Sequence, residues 1–148
     1  MEKRYISWEE FHKLTRVLAE RVEESGFVPD FLIGITSGGL VPLVLLGALF
    51  HTKNVTTISA RSYTDKNRGE LDIFAKPDVR LEGRRVLVVD EIADSGETLR
   101  QVIGLLTERY RATEVRSAVV VVNVKRNAYR PDYFVEETDR WVVFPWDE

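Results

Sequence analysis

Val86-Leu87-Val88-Val89-Asp90-Glu91-Ile92-Ala93-Asp94-Ser95-Gly96-Glu97-Thr98-Leu99 joins three kinds of segment in fourteen residues. Its first four residues are apolar and three are β-branched, the composition of a strand buried on both faces. Asp90 and Glu91 stand where that apolar run stops. Asp94 and the small turn Ser95-Gly96-Glu97-Thr98 follow, and then a helix-periodic run begins. In an open α/β sheet, ligands bind just beyond the carboxyl ends of the strands. A strand end carrying acids, followed by a small turn into a helix N-terminus, suits a phosphorylated sugar. The acids can hold hydroxyls and a hard cation, and the amides of the turn can hold phosphate.

Working outward, Leu99, Val102, Ile103 and Leu106 define the inner face of a helix from about Gly96 to Arg109. Val115 to Val122 reads as a second buried strand, ending at Asn123-Val124-Lys125. On the N-terminal side, the strand Phe31 to Ile35 runs into Thr36-Ser37-Gly38-Gly39 and an all-apolar helix beginning at Leu40, with Pro42 in its first turn. Adjacent glycines let a backbone approach an anion closely, although Gly-Gly also marks ordinary tight turns. Val55 to Ala60 is a further strand. The polar stretch Arg61 to Glu70 is long for a connection in a compact domain, the length of a functional loop, and Leu71 to Ala75 forms a returning strand. Ser7-Trp8-Glu9-Glu10 has the form of a capping box opening a helix from Trp8 to about Glu24, stopped near Gly26. Arg126 to Arg130 reads as a loop and Asp132 to Glu136 as an edge strand. The tail Trp141 to Trp146 is too apolar for a frayed end and should pack onto something. The alternation predicts an α/β fold, a single domain over residues 1–148 with a mostly parallel sheet flanked by helices.

The bulk properties narrow the function. The length of 148 residues supports one core without staples. Cysteine is absent, so disulfides and thiolate metal sites are excluded. A net charge of -3 argues against a nucleic-acid surface. No run reaches membrane-spanning length and no signal-type segment opens the sequence, so the expectation is a cytoplasmic protein with no membrane partner. Neither the Walker nor the dinucleotide glycine pattern occurs. The two histidines lie outside the candidate site. What remains is two small βα turns with acids between them, which suggests a ligand bearing two phosphate groups, a hydroxylated linker and Mg²⁺.

The stretch Val86 to Leu99 resembles the phosphoribosyl-pyrophosphate signature of the type I phosphoribosyltransferases. Ile35-Thr36-Ser37-Gly38-Gly39-Leu40-Val41-Pro42, Ser62-Tyr63, Lys125, and Trp141 through Pro145-Trp146-Asp147 resemble the bacterial xanthine-guanine branch of the 6-oxopurine enzymes. The resemblance implies transfer of 5-phosphoribose from phosphoribosyl pyrophosphate to N9 of guanine, xanthine or hypoxanthine, with Mg²⁺ and release of pyrophosphate. It implies that Asp90 and Glu91 bind ribose hydroxyls and support the metal. The two adjacent side chains can serve together only if the chain has already turned at Glu91. Ala93, Asp94, Ser95, Gly96, Glu97 and Thr98 would hold the 5′-phosphate, with Asp94 also the base near purine N7. The plain reading of Asp94 is a helix N-cap.

Ser37, Gly38 and Gly39 would hold pyrophosphate, with a cis Thr36–Ser37 peptide expected and Tyr63 closing over the site. Lys125 would donate to the 6-oxo group, Trp141 stack on the base and the Val142 carbonyl read its 2-position. A surface Lys125 and a core Trp141 are the plain readings. Residues 61–77 become a flexible active-site loop and 123–148 a small C-terminal hood over the base. A dimer or tetramer is expected by analogy.

Three positions depart from the pattern. Ser37 stands where Arg or Lys is common, Glu97 where Gly or Lys is common, and Asp90-Glu91 replaces an acid followed by Asp. Arg61, Lys66 or Arg68 could supply the missing charge. The alternatives are a transferase acting on another base, or a regulator of this fold that senses phosphoribosyl pyrophosphate or nucleotides. A regulator binding RNA would need a basic face, with Arg109, Arg111 and Arg116 as its candidates.

Overall fold

The computed structural model describes residues 2–62 and 71–147. Its centre is a pair of parallel strands, β2 (Phe31–Thr36) and β5 (Arg85–Ala93). Between them in sequence come α2 (Leu40–Leu49), β3 (Val55–Ser62) and β4 (Leu71–Phe74). After β5 come α3 (Glu97–Glu108), β6 (Glu114–Asn123) and β7 (Glu136–Thr138). The six-stranded sheet has the order β4-β3-β2-β5-β6-β7, parallel except for β4. From β2 the chain moves outward through β3, then returns to place β5 on the opposite side. That reversal makes the carboxyl ends of β2 and β5 the switch point of the sheet.

Helices cover both faces. Phe11, Leu18 and Val22 of α1 (Trp8–Glu24), with Leu43 and Leu46 of α2, pack on Leu32, Leu87 and Val89. On the other face Leu99, Val102 and Leu106 of α3 pack on Ile33, Val86 and Val88. Leu18 and Leu106 are fully buried, so truncating either to Ala should cost about 2–5 kcal/mol. The apolar run from Leu40 reads as a fully buried helix, but α2 is partly on the surface, with Val44 and Leu40 exposed.

Three further details differ from the sequence expectations. Ser7 does cap α1, its hydroxyl accepting from the Glu10 amide at 3.1 Å. The Glu10 carboxylate does not reach back to complete a capping box. It is taken by Arg4, whose guanidinium also binds Glu136 at 2.9 and 3.0 Å. The edge strand expected at Asp132 to Glu136 forms later, at Glu136–Thr138. Asp132 instead ties the sheet edge through its side chain, accepting from the Ser117 amide at 2.8 Å. Finally, a second, two-stranded sheet pairs β1 (Lys3–Tyr5) in parallel with β8 (Trp141–Val143). The tail thus packs on the start of the chain, and Trp146 stacks on Phe144 and meets Phe11 edge-on.

Candidate functional site

Both small turns lie at the switch point. The Ser37-Gly38-Gly39 turn follows β2, and the Thr36–Ser37 peptide is cis, as expected. Ser37 is exposed. Gly39 is enclosed by backbone. A Cβ there would lie 2.6 Å from the Ile35 carbonyl oxygen and 2.7 Å from that of Val89. Gly38 is crowded differently, because a Cβ there would lie 1.5 Å from Oε2 of Glu91. The Glu91 carboxylate therefore rests directly over this turn.

The chain does not turn at Glu91. β5 continues to Ala93, so the turn expected at Glu91 is absent. The in-out alternation slips: Val89 and Ile92 pack toward the α1/α2 layer, while Val88 and Ala93 pack toward α3. The slip falls between Val89 and Ile92, the stretch that holds both acids. Each carboxylate accepts from the amide that follows it: the Glu91 amide donates to Asp90 Oδ1 at 2.9 Å, and the Ile92 amide donates to Glu91 Oε1 at 3.3 Å. Asp90 is buried, and burial first and Glu91 second push its pKa well above the ordinary aspartate value.

At the end of β5 Ala93 is buried, and Asp94 begins the turn. Gly96 adopts φ +89, a conformation favouring glycine. It also lies under the Tyr129 carbonyl, which a Cβ would approach to 2.4 Å. Gly96, not Asp94, is the N-cap of α3, which removes the plain reading of Asp94 as a cap. Ser95 is exposed and accepts from the Glu97 amide at 3.2 Å, and Thr98 is half-buried. The first amides of α3 thus open onto the same sheet edge as the glycine turn, with the positive end of the helix dipole behind them. Glu97 turns outward. Hydrogen bonds from Arg100, and then Gln101, hold its carboxyl down at about 2.

A cavity of about 430 Å³ opens beside these turns. Glu91, Asp94, Lys125, Trp141 and Val142 all border it, so five of the predicted residues meet there. Trp141 is 62 % exposed, so it is not core filling. Val142 is buried in β8 beneath it. Lys125 extends into solvent and pairs with Asp139 at 3.6 Å across the mouth. Asp94 has one oxygen on each side: Oδ1 is buried without a hydrogen-bond partner among the described residues, and Oδ2 faces Arg126 at 3.4 Å.

Sequence reasoning missed Ile92, Asn123, Arg126, Asp139, Arg140, Phe144 and Asp147, which also line the cavity. Arg126 directly follows Lys125, and that adjacency was the available signal. Tyr63, Lys66 and Arg68 lie outside the described residues. Arg61 is engaged elsewhere, pairing with Asp72 at 3.3 Å and stacking over Phe74. The basic face required of an RNA-binding regulator is also weakened. Arg116 binds Glu114 and the Tyr133 hydroxyl, and stacks over Phe27.

Residues 6–148 match the phosphoribosyl transferase domain family. The chain belongs to that family. Among its phosphoribosyl transferase relatives, a xanthine-guanine phosphoribosyltransferase of Cereibacter sphaeroides is 33 % identical over 97 % of this chain and 86 % of its own length. The crystal structure of a purine phosphoribosyltransferase from Pyrococcus horikoshii superposes with a TM-score of 0.90 at 31 % identity. The match covers 100 % of this chain and 95 % of that one. A Helicobacter pylori xanthine-guanine-hypoxanthine phosphoribosyltransferase gives 0.89 at 28 % identity, over 99 % and 94 % of the two chains. No helix among the described residues is long and apolar enough to cross a membrane.

Proposed function

We propose that the protein transfers 5-phosphoribose from phosphoribosyl pyrophosphate to N9 of a 6-oxopurine, releasing pyrophosphate. The observation that supports this reading is the cavity lined by Asp94, Trp141, Val142 and Lys125, beside the small turns that follow β2 and β5. The purine relatives support the choice of base.

In this reading the amides and hydroxyls of residues 94–98 bind the 5′-phosphate at the N-terminus of α3. The Ser37-Gly38-Gly39 turn binds pyrophosphate. Trp141 stacks on the purine, Lys125 releases Asp139 to donate to the 6-oxo group, and the Val142 carbonyl faces the 2-position. The N9 lone pair attacks C1 of the ribose. The bond from C1 to pyrophosphate oxygen breaks, and its electron pair leaves with pyrophosphate. The proton on N7 passes to Asp94 as the new bond forms. Ribose charge develops as in glycoside cleavage, so positioning and neutralisation of the leaving group dominate.

The donor set fits Mg²⁺. Among the described residues no group of three or more metal-ligating side chains occurs, yet the Glu91 carboxylate lies over the glycine turn beside Asp90. Mg²⁺ needs only one or two carboxylates when substrate oxygens and water complete its shell. Asp90 and Glu91 would hold it, and when bound it would neutralise charge on the departing pyrophosphate.

Residues 61–77 would act as the active-site loop, 123–148 as the base-binding hood, and the protein as a cytoplasmic dimer or tetramer. The test is a panel of guanine, xanthine, hypoxanthine and adenine with phosphoribosyl pyrophosphate and Mg²⁺, following pyrophosphate release. Release with a 6-oxopurine is expected. No release with any base would refute the reading, and release with adenine alone would refute the role of Lys125.

A further inference from the structure

Arg126 borders the base cavity, but nothing in the reaction outlined above uses it. We propose that Arg126 is a positioning residue for Asp94, fixing the cavity-facing carboxylate oxygen where it can take the proton of the base. The inference rests on the transferase reading and adds to it the residue that orients its proton acceptor.

The argument begins with the asymmetry of the Asp94 carboxylate. Oδ1 is buried and has no partner among the described residues, whereas Oδ2 faces Arg126 Nη1 at 3.4 Å. A buried oxygen without a donor is unfavourable, so an isolated Asp94 side chain would rotate to hydrate it. The attraction of the guanidinium for Oδ2 opposes that rotation. Among the described residues Asp94 is the acid with which Arg126 pairs. A carboxylate oxygen has two lone pairs, so Oδ2 can hold Arg126 and still receive an N–H from the base.

The backbone gives this contact its direction. The amides of Lys125 and Arg126 both donate to Asn123 Oδ1, at 3.0 and 3.3 Å, which closes the turn at the end of β6. Asn127 then reaches across, its Nδ2 donating to the Asp94 carbonyl at 3.1 Å. The Ala128 amide donates to the Ser95 carbonyl at 2.8 Å. The turn is therefore fastened to the main chain of the very segment whose side chain Arg126 contacts. Lys125 and Arg126 diverge from it, one toward Asp139 of the hood and the other toward Asp94. One turn thus carries both the proposed reader of the 6-oxo group and the group that aims the proton acceptor.

The Arg126 side chain is 65 % exposed, so its loss should move Tm by no more than about 2 °C. A purely structural role would show nothing else. With the preferred base of the panel, Arg126→Ala should lower kcat by about tenfold or more, while KM for phosphoribosyl pyrophosphate changes less than about twofold. Arg126→Lys should retain part of the lost rate. Added guanidinium at millimolar concentration should raise kcat of Arg126→Ala, and tetramethylammonium at equal ionic strength should not. In an Asp94→Asn background, removing Arg126 should cost nothing further, because the two act as one unit. Arg109→Ala, at an exposed arginine that follows α3 and does not line the cavity, serves as the charge control and should keep its activity.

An unchanged kcat in Arg126→Ala, a fully additive loss with Asp94→Asn, or a loss that guanidinium does not relieve would overturn the proposal. Each of those results leaves the transferase reading standing. Wild-type protein that releases no pyrophosphate with any base removes the transferase reading itself, and this proposal with it.

Discussion

Gly38 and Gly39 are adjacent, and neither has a positive φ, yet adding one methyl to each should have opposite consequences. At Gly39 the new Cβ would meet the Ile35 and Val89 carbonyl oxygens at 2.6 and 2.7 Å and the Ile35 amide nitrogen at 2.9 Å. These are main-chain atoms of the two central strands, and they cannot retreat without parting β2 from β5. Overpacking of this kind costs about 1–3 kcal/mol, and the rigid neighbours put Gly39→Ala toward the upper end. For a domain of this length about 2–4 °C of Tm is lost per kcal/mol, so the variant should melt roughly 5–10 °C lower. At Gly38 the methyl would first meet Glu91, whose Oε2, Cδ and Oε1 lie 1.5, 2.2 and 2.5 Å from the Cβ position. That is the far end of a flexible side chain, so Gly38→Ala should keep Tm within about 2 °C. Its cost should fall on function. Glu91 is driven from the turn, the backbone can no longer approach an anion closely, and KM for phosphoribosyl pyrophosphate should rise by about tenfold or more. Calorimetry and steady-state kinetics on the two variants decide the matter. Wild-type Tm in Gly39→Ala, or wild-type KM in Gly38→Ala, would refute the reasoning.

Asp90→Asn should raise stability by about 0.5–2 kcal/mol near neutrality while abolishing turnover, since it removes a buried charge that the site requires; a lower Tm would contradict the burial argument. The sign follows from its raised pKa: stability is lost as pH climbs from the ordinary aspartate range, and Asp90→Asn should be insensitive to that climb. Trp141→Ala should leave Tm nearly unchanged because the ring is exposed, but should raise KM for the base by about tenfold, as for other stacking platforms. Glu10 behaves oppositely to Asp90. The Arg4 hydrogen bond lowers its pKa, so its contribution is present above the ordinary glutamate range and lost as pH falls below it. The Tm gap between wild type and Glu10→Gln should therefore close on acidification, and a gap that widens would count against the Arg4 clamp.

The sheet was readable because its central strands are buried on both faces. Val86 to Val89 and Val119 to Val122 have no polar residue to confuse the period. The start of α1 was readable through Ser7, although Arg4 took the glutamate that local spacing assigned to the cap. Pairings across the whole chain were not readable. Three-residue strands such as β1 and β8 leave no periodic trace, and β7 was misplaced because the segment from Asp132 meets β6 first through an isolated bridge at Tyr133 and forms a continuous ladder only from Glu136. At the site, acids and glycines announced themselves by residue type and order. The phase slip in β5 did not, since it depends on how two neighbouring strands pack. Glu97 was legible in hindsight, because Arg100 stands one helical turn further on. Arg126 acquires meaning only when the turn after β6 folds against Asp94.

The pairing of β1 with β8 has a consequence for assembly. The strand that carries Trp141 and Val142 is not part of the main sheet; its ladder partner is Lys3–Tyr5. The Arg4–Glu136 contact that secures the same corner spans 132 residues of chain. Closing a loop of that length costs roughly 4 kcal/mol in chain entropy before any contact is gained. Such a pairing becomes favourable only once the intervening layers have brought the two segments together. The turns proposed to bind phosphate, by contrast, follow β2 and β5, which are neighbouring strands of the central sheet. The corner where β1 meets β8 is the keystone of this architecture: it ties the start of the chain to the strand whose Trp141 and Val142 line the cavity.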